Sequence, residues 1–143
     1  MHLALPDTLI LVSRRSRNIL FFLSIFDSFE RVDLKTQTSE YQSIWVEIKN
    51  EKSKNIVCGC VYRHPRYDMS NFLNYMDTTL KTLTDENKEI YLCGDFNIDL
   101  LKINSNSNYL SFYNLLNSYA ILPFIIHPTR VVEGQVPSLI ENI

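Results

Sequence analysis

From Ser43 to Lys49 the apolar positions Ile44, Val46 and Ile48 alternate with Trp45, Glu47 and Lys49, the two-residue period of a β-strand. A polar turn follows at Glu51, Lys52 and Ser53. Residues Asn55 to Tyr62 are then small and β-branched (Ile56, Val57, Cys58, Gly59, Cys60, Val61), which predicts a buried strand and, with the first, a β-hairpin. Arg63-His64-Pro65 ends that strand, because proline cannot donate to a central ladder. The period then lengthens. Phe72, Leu73, Met76, Leu80 and Leu83 recur at helical spacing, with Ser70 as N-cap and Asp85-Glu86-Asn87-Lys88 as the polar exit. Ile90-Tyr91-Leu92-Cys93 predicts a further strand that ends at Gly94. Residues 102–108, rich in Asn and Ser, are expected to be loop. Tyr109, Phe112, Leu115, Leu116 and Tyr119 mark one face of a second helix, Leu122–Ile126 reads as a short strand, and Leu139–Ile143 reads as the start of another. Strands alternating with helices beside a hairpin predict the α/β class with a mixed sheet.

Residues 1–30 show no clean period. Leu9–Val12 and Ile19–Phe26 are apolar, with Arg14, Arg15 and Arg17 between them. The second run falls far short of the roughly 20 residues of a membrane span. The basic residues follow the first run instead of preceding it, so a secretory signal fits poorly. Asp7 and the many aliphatics count against a transit peptide. The organisation expected is a divergent apolar and basic segment over residues 1–30 and one domain over residues 31–143.

Composition narrows the function classes. Eight Tyr, eight Phe and one Trp in 143 residues exclude a disordered chain and supply a real core. A net charge of −2 excludes a protein coated in basic nucleic-acid-binding surface, so any phosphate site has to be local. Arg63, His64 and Arg66 form one local cluster, and the three N-terminal arginines form another. Cys58, Cys60 and Cys93 are odd in number and lack CxxC spacing, which speaks against a disulfide framework and for an intracellular compartment, nucleus or cytoplasm. A metal site built on these thiols would need a fourth ligand, and buried small residues are the expectation.

The strongest chemical signal is Leu92-Cys93-Gly94-Asp95-Phe96-Asn97. In an extended segment, residues two apart point the same way, so Asp95 and Asn97 address one small volume at a strand end. A carboxylate can orient or deprotonate a water, or hold Mg²⁺ through its water shell, and an amide can donate to a phosphate oxygen as charge builds there. A turn in which Asp and Asn satisfy local backbone groups explains the same four residues equally well. The second signal, Val61-Tyr62-Arg63-His64-Pro65, also sits where a buried strand meets a loop. Tyr62 can hydrogen-bond a phosphate and Arg63 can pair with it, although taken alone these residues are better explained as a core-capping Tyr and an exposed Arg.

Read in order, the motifs are a strand ending in Tyr62-Arg63-His64-Pro65, a helix, a strand ending in Gly94-Asp95-Phe96-Asn97-Ile98-Asp99-Leu100-Leu101, a second helix, His127-Pro128-Thr129-Arg130-Val131, and Ser138-Leu139-Ile140-Glu141-Asn142-Ile143. From about Ser39 to Ile143 this order resembles the endonuclease domain of non-LTR retrotransposons, within the endonuclease/exonuclease/phosphatase superfamily that includes pancreatic deoxyribonuclease and the apurinic/apyrimidinic endonucleases. The resemblance implies a partial four-layer α/β sandwich with two central sheets, truncated at both ends, and a DNA-cleaving phosphodiesterase that uses a divalent metal, usually Mg²⁺. By the same resemblance Asp95 activates the water, with a metal contact through water; Asn97 binds the scissile phosphate; and Tyr62 contacts that phosphate from the neighbouring strand end. Arg63, Thr129 and Arg130 fall among the nucleic-acid contacts. Glu141 stands where the family carries an Asp that orients a catalytic His, and it is one methylene longer.

Two further family features have no match. The upstream metal-binding Glu is missing, since Glu30 and Glu40 lack its context, and none of His2, His64 and His127 stands in the Ser-Asp-His position. The resemblance therefore implies a piece of the domain with little or no activity of its own, an exposed sheet edge prone to aggregation, and a parent element that also encodes a reverse transcriptase. DNA is the implied partner and a membrane is not. The alternatives are a non-enzymatic remnant that binds nucleic acid weakly, and a phosphatase of the same superfamily acting on a small phosphoester; the Arg-His-Pro and Pro-Thr-Arg details favour the retrotransposon branch.

Overall fold

The computed structural model describes residues 27–125, 127–139 and 141–142. The N-terminal apolar runs and Arg14, Arg15 and Arg17 lie outside the described residues. In chain order the elements are β1 (Ser28–Glu30), β2 (Thr36–Gln37), β3 (Tyr41–Ile48), β4 (Ile56–Arg63), α1 (Met69–Asp85), β5 (Glu89–Asp95), a 3₁₀ segment (Leu100–Ser105), α2 (Ser107–Ser118) and β6 (Glu141–Asn142). They build one mixed six-stranded sheet in the order β1-β3-β4-β5-β6, with β2 also paired to β3. β3 and β4 are the expected antiparallel hairpin. β4 and β5 run parallel, joined by the α1 crossover, and β6 returns antiparallel to β5. The α/β class and the mixed sheet are as expected. One sheet of the two that the resemblance implies is found among the described residues. None of their helices is long and apolar enough to cross a membrane.

α1 covers the sheet face that carries Trp45, Val57 and Val61, with Phe72, Met76, Leu80 and Leu83 buried in the core there. α2 packs on α1 and the 3₁₀ segment, with Phe112 against Phe72 and Phe96 and Leu116 buried in the same core. Trp45 is fully buried. It lies in register with Gly59, and a Cβ on Gly59 would meet the indole at 2.2 Å. Its Nε1–H donates to the Tyr75 hydroxyl at 2.8 Å, which in turn donates to the Leu34 carbonyl at 2.9 Å, tying β3, α1 and the β1–β2 connection together.

Four boundaries differ from the sequence reading. Asp68, not Ser70, caps α1, and its carboxylate accepts the Ser70 N–H at 2.8 Å. Part of the expected loop at residues 102–108 is the 3₁₀ segment, which Asp99 starts in the same way. Over residues 121–125, where a strand was expected from Leu122, no strand forms. Pro123 has no N–H for a ladder, and the flanking Leu122 and Phe124 are 67% and 86% exposed. β1 lies ahead of the boundary expected at residue 31 and pairs with β3 from Ser28 onward.

The sheet's far end from the site holds a buried ion cluster. Glu47 on β3 accepts hydrogen bonds from Arg31 at 2.8 Å and from Asn55 at 2.7 Å, and pairs with Lys88. Arg31 also binds Asp33 and Glu86. Burial pushes the Glu47 carboxyl up, but the bonds from Lys88, Asn55 and Arg31 outweigh it and hold the group below its ordinary value. The hydrogen bond from Arg31 does the same for Asp33. Both folded-state pKa values are depressed, so their contribution to stability is complete above the ordinary carboxylate range and is lost as pH falls through the folded values. Urea midpoints are therefore expected to fall below about pH 4. Glu47→Gln is expected to cost about 3 kcal/mol at pH 7, the low end for a broken buried pair because Arg31 keeps Asp33 and Glu86, and to flatten the acid limb. An unchanged pH dependence in that variant would contradict the assignment.

Candidate functional site

Because β4 and β5 run parallel, their C-terminal ends meet at one rim, the usual place for a ligand in an α/β sheet. The register puts Tyr62 directly beside Asp95. On the other side, Glu141 of β6 pairs with Asp95 through the backbone. Tyr62, Asp95 and Glu141 thus occupy one row across three adjacent strands, which at the usual strand spacing spans about 10 Å. Tyr62 is 36% exposed at this rim. Its ring meets that of His64 edge-on at 6.5 Å, and His64 in turn packs on Tyr67.

The segment after β5 alternates between core and rim. Phe96 and Ile98 are buried, Phe96 with its ring 5.2 Å from that of Phe112. Asp95 and Asn97, on either side of Phe96, are half-buried. The Asp95 carboxylate accepts the Asn97 backbone N–H at 3.1 Å, which fixes both residues in one turn. Asn97 adopts a φ of 50°, a left-handed conformation that Asn tolerates better than most residues. Gly94 has a φ of 141°, and a Cβ there would lie 1.8 Å from the Val61 carbonyl oxygen on β4. Only glycine lets β5 approach β4 closely enough to set Asp95 beside Tyr62.

Arg63 holds this turn in place. Its Nε–H donates to the Phe96 carbonyl at 2.8 Å and its Nη2 to the Asn97 carbonyl at 3.0 Å, while Nη1 reaches the Tyr67 carbonyl at 3.2 Å. The Asn97 side-chain amide returns a bond to the Arg63 carbonyl at 2.7 Å. At 4% exposure, Arg63 is turned inward onto backbone carbonyls and not outward as a nucleic-acid contact. Its burial lowers the guanidinium pKa, opposed by Tyr109, Asp95 and Tyr62. The expected contact at Arg63 is therefore a positioning group: five guanidinium donors at a strand end satisfy a loop rich in unpaired carbonyls.

Thr129 and Arg130 lie at the base of a loop closed by the Arg130–Ser138 bridge, with Thr129 half-buried and Arg130 exposed. Asp99, which the sequence reading passed over, links this loop to the rim. Its Oδ1 accepts the Leu139 N–H at 3.0 Å and the Leu101 N–H at 3.1 Å, and the Leu100 N–H donates to the Leu139 carbonyl at 3.0 Å. Asp99 therefore starts the 3₁₀ segment and steers the chain toward Glu141. An Asp directly before Leu-Leu was the available signal, as a helix N-cap.

No group of three His, Cys, Asp or Glu side chains among the described residues is arranged to hold a metal ion. Mg²⁺ requires less, since one or two carboxylates with waters and phosphate complete its octahedron. Asp95 at the rim fits such an outer contact. The cysteines do not contribute: all three are free, Cys60 and Cys93 are register partners within the sheet, and burial pushes the Cys58 thiol up to about 11.

No family profile matches the chain, and no curated protein matches it. Among solved structures it is similar to the endonuclease domain of TRAS1, a telomere-specific non-LTR retrotransposon, with a TM-score of 0.62 and 15% identity over 85% of this chain and 54% of that one. The chain thus spans about half the length of that structure. At this identity the likeness establishes architecture, and the architecture agrees with the ordered motifs: the chain has the mixed α/β fold of a retrotransposon endonuclease domain.

Proposed function

We propose that this chain carries the phosphate-facing part of a divalent-metal-dependent DNA endonuclease site, of the kind borne by non-LTR retrotransposons beside a reverse transcriptase. The observation that supports this reading is the row of Tyr62, Asp95 and Glu141 across β4, β5 and β6, with Asn97 held over it by Arg63. Here the Asp95 carboxylate, fixed by the Asn97 N–H, orients a water and accepts its proton as it attacks phosphorus; the bond from phosphorus to one sugar oxygen breaks, and that oxygen leaves with a proton from solvent. The Tyr62 hydroxyl donates to a non-bridging phosphate oxygen. The Asn97 amide has two N–H groups; Arg63 holds one and the other serves a phosphate oxygen as negative charge develops. Asp95 would hold Mg²⁺ through its water shell, and the ion would neutralise phosphate charge. Phosphate binding is the property these residues support directly; turnover by this chain alone is expected to be weak or absent.

The test is an amide and side-chain NMR titration of the full chain with a short DNA duplex in Mg²⁺. Shifts are expected at Gly94, Asp95, the Asn97 side-chain amide and Tyr62. Shifts confined to the outer faces of α1 and α2 would overturn the reading.

A further inference from the structure

Cys60 on β4 and Cys93 on β5 are direct register partners in the parallel half of the sheet. Register partners point to the same sheet face, and neighbouring strands lie about 4.8 Å apart. That spacing falls within the roughly 4.4–6.8 Å of Cα separation that a disulfide spans. The two thiols already interact. The Cys93 S–H donates to the Cys60 sulfur, which holds the Cys60 thiol below its ordinary range and pushes that of Cys93 up. Cys60 is 2% exposed and Cys93 half-buried, so a small reagent arrives from the Cys93 side. Cys58 lies two residues before Cys60 on the same face, but it stands opposite Tyr91 in the register. Burial pushes its thiol up to about 11, which leaves little thiolate to react.

The pair sits where the two central strands come closest. Val61 and Gly94, the next residues on β4 and β5, leave only 1.8 Å between the Val61 carbonyl oxygen and a Cβ added to Gly94. One residue further on, Tyr62 and Asp95 form the rim. We infer that Cys60 and Cys93 are a redox site, which a peroxide closes into a reversible disulfide across the central strands directly beneath the rim. Hydrogen peroxide, little larger than water, enters beside Cys93. The Cys60 thiolate attacks one peroxide oxygen, the O–O bond breaks, and hydroxide leaves and takes up a proton as water. Cys60 is then a sulfenic acid. The Cys93 sulfur gives its proton to solvent and attacks the Cys60 sulfur; the S–O bond breaks and a second water leaves. In all, the two thiols lose two electrons and two protons and the peroxide gains both. A disulfide holds its Cβ atoms about 3.8 Å apart, less than the strand spacing, so closure draws β4 and β5 together and shifts Tyr62 against Asp95. The disulfide forms with or without DNA, so its presence is independent of the proposed function.

The test treats the full chain with hydrogen peroxide in the absence of denaturant, then alkylates the remaining thiols in urea and maps the peptides. Two thiols should be lost, with Cys60 and Cys93 recovered in one linked peptide and Cys58 alkylated. Dithiothreitol should restore all three free cysteines. Cys58→Ala should oxidise in the same way as the unaltered chain. Cys93→Ala should stop at a sulfenic acid on Cys60 that dimedone traps, and Cys60→Ala should give no disulfide within the chain. The Tyr62 ring signals in NMR should move on oxidation and return with dithiothreitol. A linkage through Cys58, a disulfide only between chains, or oxidation only once urea unfolds the protein would each overturn the inference, and the peptide map of the unaltered chain decides these without any variant. Tyr62 signals that stay in place would also overturn it, because the strands would then not have moved.

Discussion

Gly94→Ala is expected to cost on the order of 4 kcal/mol, a large share of the stability of a domain this size. Two independent effects combine. The backbone at Gly94 has a φ of 141°, where an L side chain is strained. A Cβ there would also lie 1.8 Å from the Val61 carbonyl oxygen and 2.8 Å from the Val61 nitrogen. Those atoms belong to the backbone of β4, so no side-chain rotation relieves the contact and the two central strands have to part. The same separation moves Asp95 away from Tyr62, because both follow the residues in conflict. Urea denaturation of the variant should show the loss, and any phosphate binding should fall with it. A midpoint within experimental error of the unaltered chain would mean that β5 does not approach β4 as described.

Arg63→Met is the second large effect, expected at about 3 kcal/mol with loss of duplex binding. Met keeps much of the buried volume but leaves the carbonyls of Phe96, Asn97 and Tyr67 without their donors. Buried carbonyls without partners are costly, and bonds from a charged donor are worth more than neutral ones. The clearer prediction lies in the difference between variants. Arg130→Ala, which removes a cation on the surface, should hardly change the melt; Arg63→Met should change the melt first. If Arg63→Met leaves the urea midpoint intact and lowers only DNA affinity, then Arg63 contacts the ligand and does not hold the loop.

The contrast between those two arginines marks what the sequence can disclose. Periodicity reports local geometry, so the β3–β4 hairpin, the α1 crossover and both helices were legible from apolar spacing. Tyr62 and Asp95 were also legible as a pair, but conditionally, because their proximity depends on the register of two strands with a whole helix between them. Whether a cation at a strand end faces a ligand or its own backbone is decided by the shape of the next loop, and for Arg63 that loop begins 33 residues later in the chain. The same distance hid the cluster of Arg31, Glu47, Glu86 and Lys88, in which Arg31 meets Glu86 across 55 residues. Leu122–Ile126 misled for a local reason: apolar composition suggested a strand, and over the described residues 122–125 Pro123 has no N–H for a ladder. Asp99 was passed over because its second role, accepting from Leu139, depends on a contact 40 residues away.

In the proposed function, Asp95 presents its carboxylate to a divalent cation and a phosphate at the rim shared with Tyr62. The most direct measurement is duplex binding by the full chain in Mg²⁺ and in EDTA at matched ionic strength, for the unaltered protein and for Asp95→Asn. Mg²⁺ competes with both proteins for DNA phosphates equally, so the ratio of the two affinities isolates the contribution of Asp95. In EDTA the variant should bind at least as tightly, since it removes a negative charge from a phosphate site. In Mg²⁺ the unaltered chain should gain on the variant by on the order of tenfold, about 1.4 kcal/mol. The same Mg²⁺-to-EDTA ratio in both proteins would contradict the account.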